Sequence, residues 1–148
     1  MRDTRGFTLI ELMVAISILG ILASIALPRY SYLRQRAYVT AMQSDLRNLM
    51  TAQEGYFSSN GDYAGAVTSG PEVPGTGGSG SVSHAFSEGV VLVRMRYRSN
   101  ARRGSGWNAV VRHTKVRDRT TDQCGIFMGF TGFSPNRAVT QPGVMACW

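Results

Sequence analysis

The sequence predicts an α+β fold in which a long N-terminal helix, apolar in its first half and amphipathic in its second, packs on a small antiparallel β-sheet. Three observations carry this. The run Phe7 to Leu27 is twenty-one residues long with one charge, Glu11. Beyond it, Val39, Met42, Leu46, Leu49, Met50 and Phe57 recur at helical intervals with polar residues between them. The C-terminal part then holds three strand-like runs separated by polar or Gly-rich turns. A chain of 148 residues has room for one modest domain, and 43% hydrophobic against 17% charged residues excludes a disordered one.

The apolar run comes first. At about 1.5 Å per residue its helix is roughly 31 Å long, close to the hydrocarbon thickness of a bilayer. Between Leu12 and Leu27 the only residues that are not apolar are Ser17, Gly20 and Ser24, and small residues let helices approach closely in a membrane. A cleavable secretory signal is the competing reading, with Arg2 and Arg5 as its basic region and Ser24-Ile25-Ala26 as its cleavage site. Glu11 weighs against it. A carboxylate in an apolar spanning segment costs about 2.5 to 3.5 kcal/mol on insertion scales and usually marks a function.

Pro28 follows the apolar run. Inside a helix it removes one backbone hydrogen bond, at a cost of about 3 kcal/mol. Because the helical pattern resumes beyond it, the expectation is a kink and not a stop. The amphipathic half, residues 29–57, needs a sheet to cover its apolar stripe, and Gly55 with Ser58-Ser59-Asn60-Gly61 is read as its end.

Residues 58–87 read as a connecting loop. Fifteen of the twenty-six residues from Ser58 to Ser83 are Gly, Ser or Pro, and a solvated surface excursion is the favoured reading. No phosphate-binding loop is indicated, because no Lys-Ser/Thr follows the glycines. Strands are expected at Val90 to Arg98, Trp107 to Val116 and Gly125 to Phe130. In the first, Arg94, Arg96 and Arg98 alternate with apolar residues and line one face, which a sheet covered on its other side would leave in water.

Net charge is +7, and nine basic residues against one acid lie between Arg94 and Arg119. Arg94, Arg96 and Arg98 are therefore candidate contacts for DNA or another polyanion. A solvated outer face is favoured, since no aromatic interleaving accompanies the charge.

Cys124 and Cys147 suit one disulfide in an oxidising compartment. It would close a loop worth about 3 kcal/mol in the chain-entropy estimate. No metal site, cofactor or catalytic centre is expected: His84 and His113 have no ligand spacing to the cysteines, and no acidic pair stands at acid/base spacing.

The run Arg5-Gly6-Phe7-Thr8-Leu9-Ile10-Glu11-Leu12 resembles the class III signal of type IV prepilins and pseudopilins: a basic leader ending in Gly, then Phe, then Glu four residues on. The resemblance covers about the first fifty residues. It implies the type IV pilin fold, a prepilin peptidase that cuts after Gly6, and methylation of the new Phe7 amine. Gly20 and Pro28 fall where many pilins loosen the helix, and the Cys124 to Cys147 segment is similar to the disulfide-bounded C-terminal region of pilins. Glu11 would pair with the Phe7 ammonium of a neighbouring subunit, since an unpaired charge in low dielectric is costly.

The implied organisation is a leader at 1–6, a transmembrane and filament-core helix at 7–28, the amphipathic helix at 29–57, a loop at 58–87 and, at 88–148, an antiparallel sheet with a disulfide-bounded C-terminal region. The implied life history is a single-pass inner-membrane precursor that becomes part of an extracellular pilus. Its partners would be itself or other pilins, the peptidase, the inner-membrane assembly platform and membrane lipid. Adhesion, twitching motility and DNA uptake are the roles such pili serve. A pseudopilin of a type II secretion system is the alternative. The cysteine pair and the full-length Gly/Ser loop, with no acidic calcium-binding cluster, lean toward the pilus.

Overall fold

A computed structural model describes residues 6–75, 77–117 and 121–148. Helix α1 spans Leu9–Asn60 and contains Pro28, so the helix continues past the proline as the resumed pattern requires. The chain divides into two compact units, one up to Arg34 and one from Gln35 to Trp148.

In the first unit the helix surface from Leu12 to Leu27 is apolar apart from Ser17, Gly20 and Ser24. Its Ser17 and Ser24 hydroxyls donate to the carbonyls of Met13 and Ile21, 2.8 and 2.7 Å away, which satisfies both without water. An 18-residue window within α1 has a mean hydropathy of 2.4, enough in length and composition to cross a membrane.

In the second unit, α1 lays Met42, Leu46, Leu49 and Tyr56 on a sheet whose inner face contributes Trp107, Ala109, Val111 and Ile126. The sheet holds β3 (Val90–Asn100), β4 (Gly104–His113), β5 (Gln123–Met128) and β6 (Ala146–Cys147), antiparallel in that order. The two-residue β6 has no sequence signal of its own; pairing with β5 creates it.

Three details differ from the sequence reading. The buried stripe runs through Tyr56, while Phe57 is 38% exposed and its ring meets that of Tyr63 at 4.7 Å. Helix α1 passes through Gly55 and ends at Asn60. There Gly61, at φ 73°, donates its N–H to the Phe57 carbonyl at 2.8 Å, a left-handed cap that glycine adopts without a side-chain clash.

The third difference is the segment 58–87, which is anchored and is not a solvated excursion. It contains a parallel pair, β1 (Ala66–Thr68) and β2 (Ser81–Ser83), and it buries Ala64 and Val82 in the core. Helix side chains hold its backbone. The buried Gln53 amide both donates to and accepts from Ala64, at 3.2 and 3.1 Å, and the Tyr56 hydroxyl lies 3.2 and 3.1 Å from the carbonyls of Val73 and Gly75. A Gly/Ser-rich composition conceals this, because the anchors lie on the helix.

Candidate functional site

The residues singled out near the start of α1 form a local arrangement. Thr8 is the residue before the helix and Glu11 its third residue. The Thr8 hydroxyl and backbone N–H both donate to Glu11 Oε2, at 2.7 and 2.9 Å, and the Glu11 N–H donates to Thr8 Oγ1 at 3.3 Å. This is a capping box, which satisfies backbone donors that the first helical turn leaves without partners and sets a negative charge at the positive end of the helix. Thr8 was missed as a site residue, although the pattern Thr-x-x-Glu before an apolar run is its recognised signal.

Both Thr8 bonds fall on one carboxylate oxygen. Among the described residues the other, Oε1, accepts no hydrogen bond from a side chain or the backbone. Phe7 is 89% exposed beside it, and the large apolar residues from Leu9 to Leu33 are exposed as well. Gly6 and Gly20 both have open space where a Cβ would stand. Packing within this chain therefore does not demand glycine at either position, and any demand comes from a partner or from backbone freedom. Pro28 has no N–H, so the Ser24 carbonyl four residues earlier loses its usual helical donor. The leader arginines Arg2 and Arg5 lie outside the described residues.

At the other end of the chain, Cys124 and Cys147 are joined by a disulfide and face each other directly across β5 and β6. The Gln43 amide approaches the Cys147 sulfur at 3.6 Å, which ties the bridge to α1. Among the described residues no cluster of three or more His, Cys, Asp or Glu side chains is placed to hold a metal ion.

A bulge between Leu92 and Arg94 shifts the phase of the alternation, so that Leu92 packs on the core while Val91 and Val93 are exposed; beyond it Arg94, Arg96 and Arg98 share one face and pair with Val110, Asn108 and Gly106 of β4. The expectation that this face lies in water fails at Arg94. The C-terminal segment roofs part of the face with a second cluster, Phe127, Phe133 and Val139, and the Asn108 amide donates to the Phe133 carbonyl at 2.8 Å. Arg94 is drawn under that roof, donating from one terminal nitrogen to the Pro135 carbonyl at 3.2 Å. Arg96 and Arg98 remain exposed. Alternation could not show this, because the cover comes from residues some forty positions later.

Comparison with known proteins gives a consistent picture. Residues 1–27 match the family model described as the prokaryotic N-terminal methylation motif. The chain is 41% identical over 71 residues to the type IV major pilin protein PilA of Myxococcus xanthus, covering 46% of this chain and 32% of that one. It is 48% identical over 54 residues to a fimbrial protein of Pseudomonas aeruginosa, 36% of this chain and 35% of the other. With the type IV wide pilus major component PilA4 of Thermus thermophilus it shares 40% over 63 residues, 43% and 48% of the two chains. The alignments thus span about a third to a half of the relatives' lengths. No solved structure matches the chain. Residues 1–27 thus carry the prokaryotic N-terminal methylation motif, and over its N-terminal part the chain is similar to type IV pilins and fimbrial proteins.

Proposed function

We propose that this chain is a structural subunit of a bacterial type IV pilus, cut after Gly6 by a prepilin peptidase, methylated on the Phe7 amine and assembled through its apolar helix. Before assembly it sits as a single-pass protein of the inner membrane; afterwards it is part of a surface filament that serves adhesion, twitching motility or DNA uptake. Its partners are copies of itself or other pilins, together with the assembly platform. It performs no catalysis of its own.

The carrying observation is the Thr8–Glu11 capping box beside an exposed Phe7. The box lies beyond the cut, so it survives removal of the leader. It fixes the carboxylate while leaving Oε1 for an incoming ammonium. A cation is disfavoured at its own helix N-terminus, and a neighbour's fixed carboxylate relieves that. In low dielectric the pair selects one axial register between helices. Glu11→Leu tests this. The variant is cut normally but is absent from the sheared surface fraction on immunoblotting, and normal filaments from it would remove the pairing role.

A further inference from the structure

Over the outer face of the sheet, between β3 to β5 and the C-terminal segment, lies a cavity of about 480 Å³ lined by Arg94, Arg96, Gln123, Pro135, Asn136 and Trp148, with Val93 and Val110 as its apolar part. We infer that it binds an acidic monosaccharide unit, a pyranose carrying a carboxylate. The volume falls within the range of small-molecule sites.

Charge selects the anion. Two guanidinium groups line the cavity, and none of the described lining residues is acidic. Arg94 is already held by the Pro135 carbonyl. A guanidinium fixed in place loses little freedom on meeting a carboxylate, with which arginine forms short, charge-assisted bonds.

The remaining lining selects a hydroxylated ring. Asn136 Oδ1 accepts the Ala138 N–H at 2.9 Å, which orients the amide and leaves its NH2 to donate to a ligand hydroxyl. Trp148 is fixed by two backbone bonds to Gln123, at 2.9 and 3.2 Å. Its indole lies against Gly125, where a Cβ would come within 2.7 Å of the ring, so a glycine is needed there for the indole to approach β5 this closely. An aromatic lining residue held in place in this way suits the C–H side of a pyranose, and a bare inorganic anion would leave it unused.

All of these residues lie between 93 and 148, so the inference stands apart from the filament reading. The full chain in detergent micelles is titrated with glucuronic acid, with glucose and inorganic phosphate as controls, following tryptophan fluorescence and line broadening of the sugar's NMR signals. Saturable binding of glucuronic acid is expected, with no response to glucose. Arg96→Gln, at an exposed position, weakens it about tenfold, as loss of a charge-assisted bond requires, while its melting temperature stays that of the parent. The inference is overturned by absence of saturation, by unchanged affinity in Arg96→Gln, or by phosphate binding as tightly as the sugar acid.

Discussion

One helix meets two environments in this protein. From Leu9 to Leu33 its large apolar side chains are exposed, whereas between Met42 and Tyr56 the chain buries Met42, Leu46, Leu49 and Tyr56 completely or nearly so. The more apolar half is the one the chain leaves uncovered. Apolar surface on that scale marks a partner or a membrane, so hydrophobicity here describes what the helix will meet and not what it already touches. The two halves also pair their polar side chains differently. Near the N-terminus Thr8 and Glu11 satisfy each other within one turn. In the folded unit Asp45 reaches across to the Ser87 N–H and hydroxyl, both at 2.9 Å.

If the halves are independent in this way, substitutions should separate them. The largest effect is expected from Glu11→Leu: surface filaments are lost, while thermal unfolding of residues 35–148 is unchanged. A lowered melting temperature would show that the two halves are coupled. Next is the double replacement Cys124→Ser with Cys147→Ser. It lowers stability by about 3 kcal/mol in denaturant unfolding, yet leaves cleavage after Gly6 intact. Asp45→Ala follows. It leaves the Ser87 donors short of an acceptor in a partly buried place, at a cost of about 1–3 kcal/mol, again with normal processing.

The smallest effect is a pH dependence confined to the folded unit. His113 is buried, stacks on Tyr38 with ring centroids 4.2 Å apart, and accepts the Lys115 N–H on Nδ1 at 3.1 Å. Burial first, and then the nearby Lys115 charge, push its pKa below the ordinary value, against an opposing pull from Glu88. His84 is shifted the same way by burial, with Asp45 opposing. Both imidazoles are therefore neutral in the folded state where the unfolded chain would already bind protons. Their contribution is complete above the unfolded value near 6.5 and is lost as pH falls from there through the depressed folded values. Unfolding midpoints between pH 7.5 and 5 should fall for the parent protein and fall less for His113→Gln.

Much of this was legible in the sequence because it is local. The apolar run, the spacing of Met42, Leu46 and Leu49, and the three principal strands each lie within one stretch of chain, and the two cysteines had only each other to pair with. The contacts that escaped are those made by distant residues. Gln53 and Tyr56 anchor what composition described as a loop, β6 exists because β5 does, and Pro135 takes Arg94 out of the solvated face. Thr8 is the exception. Its role is local and its pattern recognised, but a carboxylate in an apolar segment drew attention to Glu11 alone.

The central claim is that the helix beginning at Thr8 and Glu11 is made for assembly once the leader is gone. The most direct measurement is mass spectrometry of filaments sheared from the cell surface. The account predicts a chain that begins at N-methylated Phe7 and carries the Cys124–Cys147 disulfide. A chain that retains residues 1–6, or one that begins at Leu27 as a secreted protein would, contradicts it.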